Sequence, residues 1–293
     1  MPDTRETPAP CAECAGVGYV VEQKVGAAAR ARRCGCQETC PRCGESGYTL
    51  VQAGEARVAQ ICACRHLDQR LLTFNEIGIP AALARASFET FRAWSSEQSR
   101  AKAACEEFAR KFRPDQPNRG VLLHGKPGCG KTHLLAASLR WLALEKGVGS
   151  RYVEFMLLLS DIRSGFTSNR GHMEILGPLS RVPVLSIDEL GKERGTEWER
   201  SMLDELISRR YNAGLTTLFA TNYPVEPQPV PVQPGRMVQT RSPEFQREAE
   251  QMSLEERVGQ RVYSRLNEMC DFVRVDGADF RKDASPGRGS WWR

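Results

Sequence analysis

Gly125-Lys126-Pro127-Gly128-Cys129-Gly130-Lys131-Thr132 fits the pattern G-x-x-x-x-G-K-[ST] at every fixed position. Such glycines let the backbone curl with its N–H groups turned inward, where they cradle a β-phosphate. The lysine reaches the β- and γ-phosphates as a point charge, and the hydroxyl can sit on Mg²⁺. The motif has meaning only between a strand and a helix. Upstream, Arg119 to His124 is a short apolar run that reads as a buried strand. Downstream, Leu134, Leu135, Ala137, Ser138, Trp141, Leu142 and Leu144 recur at helical spacing until Gly147. The helix N-terminus then faces the phosphates, so residues 125–132 together can bind ATP. Within the loop, Cys129 is read as small packing.

The chain beyond the loop continues the alternation of strand and helix. Arg151 to Phe155 reads as a second strand, with a helix through Leu157, Leu158, Ile162 and Phe166. Pro183-Val184-Leu185-Ser186-Ile187-Asp188-Glu189 is an apolar strand that ends in two carboxylates. Asp188 can hold the Mg²⁺ shell and Glu189 can polarise the attacking water, the layout that phosphoryl transfer needs. Thr196 to Glu199 and Ser253 to Glu256 are capping boxes that open two further helices. Leu215 to Asn222 reads as a strand, with Asn222 at the carboxyl end, where open parallel sheets bind ligands. Pro224 to Pro234 is a proline-rich surface insertion. The helix after Ser253 is expected to carry Val258, Val262, Leu266 and Met269 on one face. Arg257, Arg261 and Arg265 form an adjacent stripe, which is either a solvated face or the source of an arginine finger for a neighbouring subunit. Cys270 to Val275 is the last strand, and the tail after about residue 284 is expected to be disordered.

The N-terminal segment obeys a different chemistry. Of eleven cysteines, eight lie before residue 65, all in pairs: Cys11/Cys14, Cys34/Cys36, Cys40/Cys43 and Cys62/Cys64. The pattern C-x-x-C-x-x-x-G-Y, an alternating segment, then C-x-C occurs twice. A knuckle turns two thiolates to one point, and a returning pair completes a tetrahedron that suits Zn²⁺. One zinc per repeat is the simplest pairing; a nested set joining Cys34, Cys36, Cys40 and Cys43 is the alternative. Iron–sulfur clusters and disulfides are less suited to the pattern. With so few large apolar groups, the segment needs its metals to fold. Residues 1–67 hold eight Arg/Lys against seven Asp/Glu, and eight thiolates with two Zn²⁺ would bring the sum to −3. That balance favours a protein-docking role over an electrostatic DNA clamp.

Between module and core, Leu67 to Leu72 is expected to begin a helix that Gly78-Ile79-Pro80 breaks. Pro80 to Ala86 reads as a short helix with proline first. Ser99 to Phe112 reads as an amphipathic helix with Ala103, Ala104, Phe108 and Phe112 on one side. The 293 residues suit two domains, and the net charge of +5 permits a nucleic-acid partner without demanding one. No apolar run is long enough to span a membrane, and the first residues lack a signal-peptide core. A cytoplasmic protein with no membrane partner is expected.

Taken together, these residues resemble the DnaC/DnaI-type helicase loaders and IstB-like ATPases. The resemblance rests on Ile79-Pro80, Ser87-Phe88-Glu89, the loop at 125–132, Ile187-Asp188-Glu189-Leu190-Gly191 and Arg210-Tyr211. It extends to Thr221-Asn222, Arg261-Val262-Tyr263-Ser264-Arg265-Leu266 and Asp276-Gly277-Ala278-Asp279-Phe280-Arg281, and covers roughly residues 75–283. It implies an α/β fold: a P-loop AAA+ parallel sheet flanked by helices, without a lid domain, preceded by a small β-rich tandem zinc-ribbon module. The implied division is residues 1–66 as the zinc module, 67–118 as a helical connector, 119–284 as the AAA+ ATPase domain and 285–293 as the tail. It makes Lys131 and Thr132 the Walker A, Asp188 and Glu189 the Walker B, and Asn222 the sensor-1 residue. Arg265 becomes the expected arginine finger, with Arg261 as a second choice. The implied function is ATP-dependent loading of the hexameric replicative helicase in replication initiation. The N-terminal module would grip the helicase, and the core would hold single-stranded DNA, with Arg163, Phe166 and Arg170 as local contacts. Self-association would occur through the ATPase interface. The twin Cys₄ repeat departs from the single site expected in the family. Two alternatives remain: a transposition helper ATPase acting on duplex DNA, and a zinc adaptor using ATP only as a switch.

Overall fold

The computed structural model describes residues 11–37, 40, 42–44, 46–54, 56–167, 171–192, 195–225 and 252–280. Most of the proline-rich insertion, the C-terminal tail, Arg170 and the side chain of Phe166 lie outside the described residues.

Each cysteine repeat forms one antiparallel hairpin. The first joins β1 (Tyr19–Glu22) to β2 (Arg30–Arg33), and the second joins β3 (Tyr48–Ala53) to β4 (Ala56–Ile61). Helix α1 (Ala63–Asn75) follows at once, so Cys64 already belongs to it. It starts earlier than Leu67, because the chain turns helical as it leaves Cys62. Pro80 caps only one 3₁₀ turn, Ala81–Leu83, in place of a longer helix.

Helix α2 (Ser96–Lys111) opens on a capping box between Ser95 and Gln98. Its buried stripe is Gln98, Ala101, Cys105 and Ala109. The expected face is corrected in part: Phe112 is buried just past the helix, but Ala103 is exposed and Ala104 and Phe108 are only partly buried, because the small residues let α2 pack closely.

The core is a parallel sheet of five strands. They are β5 (Gly120–His124), β6 (Ser150–Glu154), β7 (Val184–Asp188), β8 (Thr216–Thr221) and β9 (Cys270–Arg274), in the order β6-β7-β8-β5-β9. Their side chains alternate between two apolar layers. Val121, Leu123, Leu218 and Ala220 face α1, α2 and α3 (Lys131–Lys146). Leu122, Leu185, Ile187 and Phe219 face α4 (Phe155–Thr167), α5 (His172–Leu179) and α6 (Glu197–Asn212). Covering both faces is why the inner strands β5, β7 and β8 are buried nearly throughout, while the edge strands β6 and β9 carry charged residues.

The helix expected after Ser253 is two helices, α7 (Leu254–Val258) and α8 (Gln260–Met269). Gly259 breaks them at φ 87°, a conformation that glycine adopts at no steric cost. Both still bury Leu254, Val258, Val262 and Leu266 in the second layer. Among the described residues no helix is long and apolar enough to cross a membrane.

Two buried polar residues tie the layers together. Arg210 is fully buried and donates to the carbonyls of Leu179, Val182 and Thr216 and to Thr217 Oγ1. Burial pushes its guanidinium down to about 9. Gln98 accepts from the amides of Trp94 and Ser95 and donates to the Cys129 carbonyl at 3.3 Å, joining α2 to the glycine-rich loop.

The sheet is intolerant of bulk at Gly120. A Cβ there would lie 1.9 Å from the Thr217 carbonyl oxygen, inside the β5–β8 pairing. Gly120→Ala is therefore expected to cost about 3 kcal/mol or more in denaturant unfolding. Gly149→Ala, whose nearest neighbour lies at 3.7 Å, should change the midpoint little. Equal midpoints for the two variants would refute the packing account.

Candidate ATP site at the carboxyl edge of the sheet

The glycine-rich loop leaves β5 and enters α3, as the sequence requires. Gly125, Gly128 and Gly130 hold φ values of 143°, 79° and 98°. A side chain at any of the three collides with the molecule. At Gly125 it would meet the Val275 carbonyl at 2.1 Å, at Gly128 the Asp279 carboxylate at 1.9 Å, and at Gly130 the Phe91 ring at 2.6 Å. The loop is thus clasped from behind by the segment after β9. Phe280 N donates to the Gly128 carbonyl, and the Cys129 thiol donates to the carbonyls of Lys126 and Val275 at 2.8 and 3.0 Å. Burial pushes that thiol up, which suits a packing group.

Lys131 is buried, with Nζ 2.7 Å from the carbonyls of Gly125 and Lys126, so its ammonium stands inside the loop. Thr132 lies in the first turn of α3, half-buried. A nest of left-handed glycines, an enclosed ammonium and a helix N-terminus fit a nucleotide's phosphates.

The acidic half of the site lies at the tip of β7. Asp188 is buried and accepts from the Tyr152 hydroxyl at 2.8 Å and from the Glu189 amide at 2.8 Å. Glu189 has φ 55°, a left-handed conformation rare for a residue with a side chain, and its carboxylate meets Lys192 Nζ at 2.5 Å. Glu154 is paired in register with Asp188 on the adjacent strand. Burial, reinforced by the Glu189 carboxylate, holds the Glu154 carboxyl above its ordinary range. Burial beside Asp188 likewise keeps the Tyr152 phenol protonated and donating. Because β8 lies between β5 and β7, Asn222, exposed just past its end, emerges between the loop and the carboxylates.

Sequence reading missed Tyr152, Glu154 and Gln98. The first two are legible only once β6 is known to pair with β7. The third is a polar residue in a helix whose burial no periodicity announces. It also missed an aromatic group beside the loop: Phe280 lies 4.2 Å from Trp94 and 6.0 Å from Phe91, ring centre to ring centre.

The two arginines on α8 stand elsewhere. Arg265 is 17% exposed and binds Asp204 Oδ1 at 2.7 Å and Ser208 Oγ at 2.5 Å, within its own chain. Arg261 is 71% exposed, with Asp204 at 3.5 Å. Arg163 pairs with the buried Glu199 at 2.6 Å and lies over the Trp198 ring.

The eight N-terminal cysteines gather by repeat. Cys11, Cys14, Cys34 and Cys36 form one group, and Cys40, Cys43, Cys62 and Cys64 the other, with the sulfurs of each within 4.8 Å of one another. The nested pairing is excluded by this grouping. Cross-hairpin sulfur separations are 3.7 and 3.5 Å in the first group and 3.7 and 3.4 Å in the second. A tetrahedron with Zn–S arms of about 2.3 Å has edges of about 3.8 Å, so both groups fit that ion.

Fold and site together define a P-loop ATPase of the AAA+ class. Residues 88–228, just under half of the chain, match the family model described as IstB-like ATP binding protein. The chain is 29% identical over 155 residues to the replicative helicase loader DnaC of Escherichia coli K12; the match takes in 53% of this chain and 62% of that loader. It is 27% identical over 198 residues to the phage-like element PBSX protein XkdC of Bacillus subtilis, covering 64% of this chain and 73% of that protein. Among solved structures, the DnaC helicase loader superposes with a TM-score of 0.53 at 27% identity, over 66% of this chain and 98% of that one. DnaI superposes with a TM-score of 0.52 at 23% identity, a likeness of fold.

Lys131→Ala is expected to abolish ATP binding, measured by fluorescent-nucleotide titration, while leaving the melting curve intact. Glu189→Gln should bind ATP normally and hydrolyse it about 10²-fold or more slowly. Full turnover in that variant would move the water-activating role to another carboxylate.

Proposed function

We propose that this protein is an ATP-dependent loader of the hexameric replicative helicase. The observation that carries the reading is the 29% identity over 155 residues, and the shared fold, with a replicative helicase loader, beside a glycine-rich loop and an Asp188–Glu189 strand tip at one edge of the sheet. In this reading Lys131 and the loop amides hold the phosphates, while Thr132 and Asp188 hold the Mg²⁺ that neutralises them. Tyr152 fixes Asp188, and Glu189 orients the attacking water, with Asn222 at the γ-phosphate. The N-terminal module holds two Zn²⁺ and grips the helicase, and the ATPase core contacts single-stranded DNA in the cytoplasm. Tight Arg163–Glu199 pairing makes Arg163 a weaker DNA contact than its position suggests.

Hydrolysis requires a neighbouring copy to supply an arginine. Arg265 must leave Asp204 to do so, whereas Arg261 is already exposed. Arg265→Ala is expected to spare nucleotide binding and abolish DNA-stimulated turnover in a phosphate-release assay. Normal turnover there, with loss in Arg261→Ala, would transfer the role to Arg261.

Residues 88–228 match a model described as IstB-like ATP binding protein, and the second reading is a transposition helper acting on duplex DNA. Co-elution decides between the two. The protein is mixed with its cell's replicative helicase, with and without ATP, and sized with mass detection. A shared peak supports the loader; no shared peak with tight duplex binding supports the helper.

The metals are tested separately. Two zinc ions per chain are expected by elemental analysis. Cys34→Ser should lower the melting temperature of the ATPase core more than Cys62→Ser, because the first hairpin contributes Ala29 and Ala31 to the core's apolar layer.

A further inference from the structure

The two cysteine repeats are the same unit, yet among the described residues the first is packed against the ATPase core and the second is not. In the first, Tyr19 pairs with Arg33 and Val21 with Ala31. Alternation along a strand puts these four side chains on one face. That face is covered: Ala31 is buried, and Tyr19 and Val21 pack on the core layer that contains Leu67, Leu71 and Phe74 of α1. The cover is clipped by polar contacts. Asn75 accepts from the Ala31 amide at 2.7 Å and donates to its carbonyl at 3.0 Å, and Asp68 receives Arg33 Nε at 2.5 Å.

The corresponding face of the second repeat is Tyr48 with Ile61 and Leu50 with Ala59. Here nothing in the described chain covers it: Leu50 is 69% exposed, Ile61 50% and Tyr48 44%. It is also more apolar than its counterpart, since Ile61 stands where the first repeat has Arg33. Its ends are basic. Arg57 lies on the same face, opposite Gln52, and Arg65 of α1 sits over the Tyr48 ring at 4.8 Å. Large apolar side chains gathered on one exposed face, with cations at the rim, mark an interaction surface.

The first repeat shows what chemistry this face accepts: an amphipathic helix with leucines at i and i+4 and a carboxylate beside them. We propose that the Tyr48–Leu50–Ile61 face of the second repeat docks an amphipathic, acid-bearing helix of the replicative helicase, in the manner in which α1 covers the first. This rests on the loader reading and assigns the grip to one hairpin face. The complementary charges are that helix's carboxylates against Arg57 and Arg65.

The test uses the full-length zinc-loaded protein and the purified helicase hexamer in a surface-binding assay. Leu50→Asp and Ile61→Asp are expected to weaken binding about tenfold or more, as apolar anchors do. Gln60→Asp, on the opposite face of β4, should stay within about twofold of the parent. Zinc content and ATP turnover of all three should match the parent. Should Leu50→Asp lose metal, Leu50→Ser and Arg57→Glu replace it, each expected to weaken binding with zinc intact. A photo-crosslinker at position 48 should map to a helix of the helicase. Wild-type binding left unchanged by the face variants would overturn the proposal while sparing the loader reading. No wild-type binding would overturn both. Crosslinks to an extended segment, or a self-dimer that Leu50→Asp dissolves, would assign the face to a different occupant and overturn it as well.

Discussion

The structure depends on how closely the glycine-rich loop is held from behind. Three glycines in left-handed conformations let the backbone turn its amides toward a phosphate, but such a turn has many relatives in energy. What selects this one is contact. Val275 and Phe280 meet the loop backbone, Gln98 reaches the Cys129 carbonyl, and the Asp279 carboxylate lies where a side chain on Gly128 would be. The loop is preorganised by groups from both ends of the domain, so its amides need not be reordered when a nucleotide arrives. Preorganisation of this kind is what makes charge stabilisation effective.

The same clasp connects the nucleotide site to the rest of the molecule. Ser95, at the cap of α2, donates to the Asp276 carbonyl, so the connector and the last strand meet at the loop. Helix α1 packs on α3 and on the first cysteine hairpin, which therefore belongs to the ATPase core as much as to the N-terminal module. Among the described residues the second hairpin has no such tether beyond its junction with α1 and the Arg65–Tyr48 stack. One half of a sequence repeat packs as scaffold, and the other half leaves Leu50 and Ile61 exposed.

Much of the site was legible in the sequence because its chemistry depends on residue type at fixed spacing. The loop at 125–132, the Asp188-Glu189 pair and the cysteine knuckles each need particular side chains a few residues apart, and local spacing survives any fold. Capping boxes at Thr196 and Ser253 were legible for the same reason. The buried face of α2 was not. Small residues in close packing carry no hydrophobic periodicity, so Phe108 and its alanine neighbours drew the expected face away from Ala101, Cys105 and Ala109, although Phe112 is buried.

Sequence alone determined the residue types at fixed spacing: a glycine-rich loop with its lysine, two adjacent carboxylates at a strand tip, and thiolates in fours. Only the tertiary structure decided the partners. It placed Glu154 and Tyr152 against Asp188 through the parallel pairing of β6 and β7. It grouped the cysteines by repeat, and it held Arg265 mostly buried on Asp204 while leaving Arg261 largely exposed beside the same carboxylate. The reason is physical. Spacing along the chain fixes what a few neighbouring residues can do, but contact between residues far apart is set by which layers bury one another, and that is a property of the whole core.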